Sequence, residues 1–335
     1  MKKYNFAVVG ATGMVGRQFL SVMDEYDLPV EQLFLFASSR SAGHTLAFGG
    51  KRIEVLELTP DSFREHKIDI ALFSAGGDIS REYAPIAAAS GAVVIDNSSA
   101  WRMDARVPLV VPEVNPEKIA EYKNLGIIAN PNCSTIQAVV ALKPIHDKYG
   151  IKRVIYSTYQ AVSGAGKQGC DDLAHGIEGE PPQKFPYMIA FNCIPHIDAF
   201  TENGYTREEE KMIEETRKIL NCEDMRVTAT TVRVPVYNGH SESINIETEK
   251  SFDLEEVKKL LENSPGIIME DDPENNLYPM PIDACGSDEV FVGRLRRDFS
   301  VENGLNMFVV ADNIRKGAAS NAVQIAQELI RLWEE

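Results

Sequence analysis

The sequence predicts an α/β protein with a doubly wound parallel sheet in one domain and a sheet of mixed direction in a second. In about the first 130 residues, apolar segments such as "YNFAVVG", "IDIALFSA" and "AVVIDNS" alternate with helical segments such as "MVGRQFLSVMDEY". Buried strands separated by helices are typical of a parallel sheet. After residue 150 the strands are longer, and Ile244, Ile246 and Thr248 alternate with polar residues. This period of two predicts a mixed or antiparallel sheet with a few covering helices.

Size and composition narrow the class of protein. A length of 335 residues leaves room for two domains, and 44% hydrophobic with 25% charged residues is ordinary for a globular chain. The formal net charge of −16 argues against nucleic acid or an anionic membrane surface as a partner. No apolar run reaches the roughly 18 residues of a membrane span, and "MKKYNFAVVGATG" is interpreted as a first strand, not a signal peptide. An anionic ligand would therefore need a local cluster of cations.

The cysteines indicate a reducing compartment. There are five, widely spaced and without a CxxC pair, so neither a disulfide framework nor a zinc site is expected. We expect a cytoplasmic protein without a metal.

A glycine-rich turn predicts a dinucleotide site. In "GATGMVG", Gly10, Gly13 and Gly16 follow the first strand and open the first helix. Glycine permits the tight turn and the close approach of backbone to phosphate, and the helix N-terminus supplies free N–H groups. The second strand ends in "FASSRSAG", where Ser38, Ser39, Arg40 and Ser41 offer hydroxyls and a cation but no carboxylate. This ending favours the 2′-phosphate of NADP over the free ribose of NAD.

A second turn, "NPNCST", places a cysteine where a strand stops and a helix begins. Asn132 or Ser134 would cap a helix that begins near Thr135, with Cys133 in its first turn. A helix N-terminus lowers a thiol pKa, and the thiolate is the reactive nucleophile. Pro144 is expected to kink or end this helix. From the residues alone, Cys133 is as compatible with a small buried side chain as with a nucleophile.

His240 is the preferred acid/base partner for such a thiol. It follows a glycine in "VRVPVYNGHSES", between two strands, and Arg233 lies seven residues earlier. A histidine and an arginine on one hairpin suit an anionic substrate. By contrast, His66 and His146 are expected to lie on helix surfaces.

Six motifs in order resemble aspartate-β-semialdehyde dehydrogenase, in the shorter bacterial branch of that family. They are "GATGMVG", "SSAWRMD", "NPNCSTIQ", "YQAVSGAG", "VRVPVYNGHSE" and "DNIRKGAA", and they span nearly the whole chain. The resemblance implies NADPH-dependent reductive dephosphorylation of L-aspartyl 4-phosphate to L-aspartate 4-semialdehyde, through a cysteine thioester. That reaction serves the aspartate pathway to lysine and diaminopimelate, methionine, threonine and isoleucine.

The same resemblance implies a role for individual residues. Cys133 is the implied nucleophile, His240 the acid/base catalyst and Gln160 the residue that orients the substrate. Arg102 and Lys211 are implied to bind phosphate, and Arg233 the substrate carboxylate. Glu208 is implied to bind the amino group, with Glu209 and Glu210 as open alternatives. The implied cofactor residues are Thr12, Gly13, Met14, Val15, Ser163, Gly164 and Asn313. They add to Gly10 of the glycine-rich turn and to Ser39, Arg40 and Ser41 at the end of the second strand.

The family plan implies a Rossmann-type NADP-binding domain over residues 1–128, completed by a C-terminal helix over 315–335. In that helix Ala318, Ala322, Ile325, Leu329 and Leu332 form an apolar stripe at helical spacing. Residues 129–314 would form the catalytic and dimerisation domain of a homodimer whose ligands are small molecules. The alternatives are N-acetyl-γ-glutamyl-phosphate reductase, a phosphorylating aldehyde dehydrogenase of the glyceraldehyde-3-phosphate type, and a non-catalytic NADP-binding paralogue.

Overall fold

A computed structural model describes residues 2–335, which form two compact units. Unit 1 comprises the chain up to Pro131 together with Ala318–Glu335, and unit 2 comprises Asn132–Gly317.

The described residues form thirteen strands. They are β1 (Tyr4–Val9), β2 (Val30–Ala37), β3 (Thr45–Phe48), β4 (Lys51–Glu57), β5 (Ile70–Phe73), β6 (Val93–Asp96), β7 (Ile127–Ala129), β8 (Ile151–Gln160), β9 (Arg226–Arg233), β10 (His240–Thr248), β11 (Ile267–Met269), β12 (Val290–Asp298) and β13 (Gly304–Ala311).

The same residues form nine α-helices. They are α1 (Met14–Glu25), α2 (Ser62–Glu65), α3 (Gly77–Ala89), α4 (Cys133–Tyr149), α5 (Lys167–Ile177), α6 (Arg207–Ile219), α7 (Leu254–Glu262), α8 (Pro281–Ala284) and α9 (Ser320–Glu334). Short 3₁₀ segments cover Pro116–Asn124, Val162–Ala165 and Pro273–Asn275, and a π-helical turn covers Arg315–Ala319.

Unit 1 contains a seven-stranded sheet in the order β3-β4-β2-β1-β5-β6-β7. Every neighbouring pair is parallel except the β3–β4 hairpin. The central strands β1 and β5 are almost wholly buried, which explains their continuous apolar sequences. α1 and α9 pack against each other. Of the predicted apolar stripe, Ala322, Ile325 and Leu329 are buried in the core of unit 1, and Leu332 packs against that core. The doubly wound parallel sheet is confirmed.

Unit 2 contains a six-stranded sheet in the order β11-β12-β13-β10-β8-β9. The pairs β8–β9 and β11–β12 are parallel, and the other three are antiparallel. The predicted mixed sheet is therefore confirmed. Along β10, every second residue from His240 to Thr248 is fully buried. The buried face packs against α4, because this helix contacts β8, β10, β12 and β13.

The sequence predicts that Pro144 kinks or ends its helix. Pro144 does not end the helix, because α4 continues to Tyr149. Proline removes one backbone hydrogen bond from a helix. Most side chains of α4 are buried on several sides, and tertiary packing of this extent offsets a single missing bond. The helix ends instead at Gly150, whose φ of +69° suits glycine.

Candidate active site

The glycine-rich turn of unit 1 has the shape that a phosphate site needs. Gly10 has a φ of +83°, and a Cβ added at Gly16 would lie 2.1 Å from the Gly10 carbonyl oxygen. Gly13 is the N-cap of α1 and provides no side-chain cap, so the helix N-terminus keeps N–H groups for a ligand. Met14 and Val15 form the first turn of the helix. A backbone cradle that excludes side chains fits the pyrophosphate of a dinucleotide.

A pocket of about 510 Å³ opens beside this turn. Of the residues expected to bind the cofactor, Gly10, Thr12, Gly13 and Ser39 line it. Ser38 also lines the pocket. The Ser41 amide donates to the Ser38 carbonyl oxygen at 2.8 Å and closes a turn. Arg40 lies in this turn and is exposed. The sequence analysis missed Glu57 and Tyr83, which line the same pocket. Glu57 ends β4, a strand that pairs with β2, so the ends of both strands reach one pocket.

Arg102 belongs to unit 1 and follows β6. The residue is only 7% exposed. Nε donates to the Asn130 carbonyl oxygen at 2.9 Å, and Nη2 donates to the Asn97 carbonyl oxygen at 3.0 Å. Asn97 follows β6 and Asn130 follows β7, so Arg102 is held by main chain at the carboxyl ends of two parallel strands.

Cys133 is the first residue of α4, at a capped N-terminus. The Asn132 side-chain oxygen accepts from the Ser134 and Thr135 amides at 3.0 and 3.2 Å, so of the two predicted caps Asn132 is the cap. The backbone amide of Asn132 donates to the Glu215 carboxylate at 2.6 Å. A Cβ at Gly317 would lie 2.9 Å from the Cys133 Cβ, so only glycine allows this approach. The other helix-borne cysteine, Cys170, lies within α5.

Glu208 is the centre of a buried hydrogen-bond network. Its Oε1 accepts from the Asn132 side chain at 2.9 Å and from the Gln160 side chain at 3.1 Å, and its Oε2 accepts from Lys211 at 3.1 Å. Burial by itself would raise the pKa of Glu208, but Lys211 and the two amide donors outweigh it and lower the pKa to about 2. The carboxylate is therefore ionised at physiological pH. Thr158 fixes the Gln160 amide by donating to its oxygen at 3.0 Å.

The three consecutive glutamates at the start of α6 have different partners. Glu209 forms a capping box with Thr206 and accepts from the Thr231 amide at 2.9 Å. Glu210 accepts from Asn203 at 3.1 Å in a surface loop. Of the three, only Glu208 bonds to Gln160, so the geometry favours Glu208 as the residue near a substrate.

Lys211 lies between two carboxylates. Its Nζ is 2.7 Å from Asp198 and 3.1 Å from Glu208. Burial by itself would lower the pKa of Lys211, but the carboxylates of Glu208 and Asp198 outweigh burial and raise the pKa above its usual value. The side chain is therefore a cation. In this state the ammonium is engaged by Asp198 and Glu208, and an anionic ligand would compete with them.

Arg233 and His240 meet at the backbone of Ala161. Arg233 Nη1 donates to the Ala161 carbonyl oxygen at 2.6 Å, and the Ala161 amide donates to His240 Nδ1 at 3.0 Å. His240 is completely buried. Burial, with Arg233 as a nearby cation, lowers the pKa of His240 to about 3, so the imidazole is neutral. Burial also lowers the pKa of Arg233, whereas Glu208 and Cys133 act to raise it, so both side chains lie within electrostatic range of its guanidinium.

The cysteine helix is joined to the histidine strand. Gln137, one turn after Cys133 on α4, donates to the His240 carbonyl oxygen at 3.2 Å. Residues four apart lie on the same face of a helix, so Cys133 faces the His240 end of β10.

The predicted nicotinamide-side residues of unit 2 lie next to His240. Asn313 donates to the Ser163 hydroxyl at 3.0 Å and accepts from the Gly239 amide at 2.9 Å, one residue before His240. A Cβ at Gly164 would lie 2.9 Å from Arg233 Nη1 and 3.3 Å from His240 Nε2. Gly164 thus keeps open the space beside the imidazole.

Several groups of this site escaped the sequence analysis, notably Asn132, Gln137, Thr158 and the backbone of Ala161. Asn132 was considered only as a cap, and nothing in the sequence distinguishes its second role as a donor to Glu208. Within unit 2, the structure joins Gln160, Glu208 and Lys211 by hydrogen bonds and joins Arg233 and His240 through the backbone of Ala161, which follows Gln160. Cys133 lies within electrostatic range of Arg233. A thiol at a helix N-terminus, within electrostatic range of a buried guanidinium and in the same unit as a neutral imidazole, suits covalent chemistry on an anionic acyl group.

Comparison with known proteins decides the family. Residues 5–122 match the NAD binding domain of semialdehyde dehydrogenase, and residues 142–316 match its dimerisation domain. An aspartate-semialdehyde dehydrogenase of Aquifex aeolicus is 61% identical and aligns over 98% of this chain and 98% of its own length. The chain belongs to the aspartate-semialdehyde dehydrogenase family. The resemblance found in the sequence motifs is confirmed.

Solved structures of aspartate-semialdehyde dehydrogenases share the fold. Aspartate-semialdehyde dehydrogenase II of Vibrio cholerae, complexed with ASA, has 51% sequence identity and a TM-score of 0.95, over 99% of each chain. The enzyme of Candida albicans, with NADP, has 28% identity and a TM-score of 0.79, over 98% of this chain and 99% of that one. None of the helices formed by residues 2–335 has the length and apolar character needed to cross a membrane.

Proposed function

We propose that the protein catalyses the NADPH-dependent reductive dephosphorylation of L-aspartyl 4-phosphate to L-aspartate 4-semialdehyde and phosphate. The observation that carries the proposal is Cys133 at the capped N-terminus of α4, on the helix face that meets the His240 end of β10. A thiolate attacks an acyl phosphate, the bond to phosphate breaks, and an acyl-thioester remains on Cys133. NADPH, when bound, supplies the hydride for reduction of that thioester to the aldehyde.

The substrate roles follow from charge and hydrogen bonding. Glu208 is an ionised, buried carboxylate and is the partner for the substrate ammonium group. Arg233 is a buried guanidinium and is the partner for the α-carboxylate. Gln160 is fixed between Thr158 and Glu208 and orients the acyl group. Arg102 and Lys211 bind the phosphate, and Lys211 does so by exchanging a carboxylate partner for the phosphate.

NADP is the proposed cofactor. The phosphate-binding turn is present, and Ser38, Ser39 and Arg40 follow β2. A solved relative is described with NADP. Ser163, Gly164 and Asn313 of unit 2 are the proposed contacts for the nicotinamide end.

We infer a homodimer formed through unit 2. The matched dimerisation domain covers this unit, and the unit exposes large apolar side chains. Phe299 is 94% exposed, Ile282 81% and Tyr159 41%. Large exposed apolar side chains on the unit that matches a dimerisation domain support this inference. The five free cysteines suit the reducing cytoplasm.

The deciding experiment is oxidation of L-aspartate 4-semialdehyde by NADP with and without inorganic phosphate, followed by NADPH absorbance. Strict dependence on phosphate is expected, because phosphate must release the acyl group from Cys133. Equal turnover without phosphate would instead indicate a hydrolytic aldehyde dehydrogenase. No turnover with NADP still bound would favour the N-acetyl-γ-glutamyl-phosphate reductase or the non-catalytic paralogue.

Two cysteine substitutions, made separately, test which thiol is the nucleophile. Cys133→Ala should lower turnover by at least about 10³-fold, since the covalent path is lost, and should keep NADP binding. Cys170→Ala, in the interior of α5, is the matched control and should keep turnover within about twofold. Full activity of Cys133→Ala would overturn the assignment.

A further inference from the structure

The guanidinium of Arg233 keeps a hydrogen-bond donor unused inside the protein. Arg233 is buried, and its Nη1 donates to the Ala161 carbonyl oxygen at 2.6 Å. Its Nε is also buried and has no hydrogen-bond partner among residues 2–335. A buried cation with an open N–H group costs the fold free energy. It therefore needs a source of stabilisation that does not occupy that donor.

The ring of Phe185 provides such stabilisation. The guanidinium carbon of Arg233 lies over this ring, 5.7 Å from its centroid. The face of an aromatic ring is electron-rich and attracts a cation without accepting a hydrogen bond from it, and the attraction is stronger away from water. Lys211 shows the alternative, because its ammonium is engaged by the carboxylates of Asp198 and Glu208. An aromatic partner stabilises Arg233 and leaves its Nε–H for an anionic ligand.

Asp172 of α5 holds the turn that carries Phe185. The backbone amides of Gln183, Lys184 and Phe185 donate to the Asp172 carboxylate at 2.9, 2.8 and 2.8 Å. The carboxylate belongs to a buried residue, so water does not compete for these bonds. Three consecutive N–H groups on one carboxylate fix the backbone from which the Phe185 ring extends.

Packing also restricts the ring. Phe185 packs against a small apolar core that includes Ile194, and a Cβ added at Gly169 would lie only 3.2 Å from Phe185 Cζ. Ile194 in turn exchanges two backbone hydrogen bonds with Arg233, each of 2.9 Å. The segment 183–194 is thus tied to α5 at its start and to the strand of Arg233 at its end.

We propose that Phe185, held in place by Asp172, makes the enzyme select aldehydes that carry an α-carboxylate. The ring stabilises the Arg233 cation in the protein interior, and the unused Nε–H then pairs with the carboxylate. This inference rests on the proposed function, in which Arg233 binds that carboxylate. Phe185 is a positioning residue, because it acts on the substrate through Arg233.

Two aldehydes separate this role from a general effect on the site. L-Aspartate 4-semialdehyde carries the α-carboxylate, whereas 3-aminopropanal has the same aldehyde and ammonium groups without it. Both are oxidised by the full-length enzyme with NADP and phosphate, and the ratio of the two kcat/KM values measures selectivity. Phe185→Leu removes the ring and keeps an apolar side chain. It should lower the ratio by about 5- to 30-fold and leave kcat/KM for 3-aminopropanal within about twofold.

Tyr187→Leu is the matched control, because Tyr187 lies two residues later in the same segment and is 69% exposed. It should leave the ratio unchanged. An unchanged ratio in Phe185→Leu, or equal use of the two aldehydes by an active wild type, would overturn the role of Phe185 and leave the proposed function standing. A wild type that oxidises neither aldehyde would refute the proposed function and this inference together.

A fluorinated ring separates the charge effect from packing. Replacing Phe185 with 3,5-difluorophenylalanine nearly keeps the size of the ring and keeps its Cζ–H beside Gly169, but it withdraws electron density from the face towards Arg233. The selectivity ratio should fall between the values of the wild type and Phe185→Leu. If Phe185 served packing alone, the fluorinated enzyme would keep the wild-type ratio, and that result would contradict the inference.

Asp172→Asn tests the anchor of the turn. Asparagine has the same shape but presents an NH₂ group to at least one of the three backbone amides, so the turn is held less firmly. The selectivity ratio should fall in the same direction, by about 2- to 10-fold, together with the melting temperature. A lower melting temperature with the wild-type ratio would show that Asp172 supports only the fold and does not position Phe185.

Discussion

Glu208 accepts a hydrogen bond from the side chain of Gln160 at 3.1 Å and so ties the first turn of α6 to the last residue of β8. The same carboxylate bonds to Asn132, the cap of the cysteine helix. One buried charge thereby positions three elements of unit 2, and a substrate that binds it is placed relative to all three.

Glu208→Gln should reduce kcat/KM for L-aspartate 4-semialdehyde by about 10- to 150-fold, the range for loss of one charge-assisted hydrogen bond. The amide removes the negative charge that a substrate ammonium needs. Steady-state kinetics measure the effect. Glu210→Gln is the matched control, because its partner Asn203 lies in a surface loop, and it should stay within about twofold. The reverse order of effects would show that the wrong glutamate has been chosen.

Arg40→Ala should weaken NADP binding by about tenfold or more and leave NAD binding unchanged. The guanidinium is the cation after β2, at the turn beside the pocket, and a 2′-phosphate is the group it would pair with. Titration calorimetry with both nucleotides measures the difference. Arg52→Ala removes a cation that bonds to Thr45 on the β3–β4 hairpin and should change neither affinity. Equal loss of NAD and NADP in Arg40→Ala would contradict a role in choosing between them.

Glu242→Gln should become more stable relative to wild type as pH rises. Glu242 is fully buried on β10, and burial, with Glu208, raises its pKa well above the usual value. Above about pH 4.5 the unfolded chain loses this proton while the folded chain keeps it. The folded state then binds more protons, so wild-type stability falls with pH by about 1.4 kcal/mol per unit from this group, up to its folded pKa. Glutamine removes that slope.

Urea unfolding at pH 5, 7 and 9, at one protein concentration, measures this difference. Glu255→Gln, on the exposed face of α7, is the control and should not alter the slope. A constant difference between Glu242→Gln and wild type across this range would mean that Glu242 is ionised in the folded protein.

Period and composition were enough to predict the two sheets, because burial on both faces or on one leaves a direct trace in the residue pattern. They did not show that the helix continues past Pro144, since the extent of packing around α4 depends on the rest of the fold. Period and composition also did not distinguish Glu208 from Glu209 and Glu210 as the residue that contacts the substrate. Three adjacent carboxylates look alike in sequence, and only the folded chain gives one to Gln160, one to Thr206 and one to Asn203.

The cofactor pocket shows a related limit. Glu57 reaches it from β4, and the pairing of β4 with β2 is a tertiary relationship. The sequence analysis considered only the end of β2, so it could not identify Glu57, which belongs to the neighbouring strand β4.

Ala161 contributes to this site through atoms that every residue except proline possesses. Its carbonyl oxygen holds Arg233 and its amide holds His240, while its methyl group takes no part in either contact. Alanine-scanning mutagenesis would pass over this position, because alanine is already there. Neither hydrogen bond needs a particular side chain at residue 161, although the geometry of two functional side chains depends on its main chain. The main chain that leads from β8 into the following turn is therefore a part of the active site whose contribution side-chain substitution does not detect.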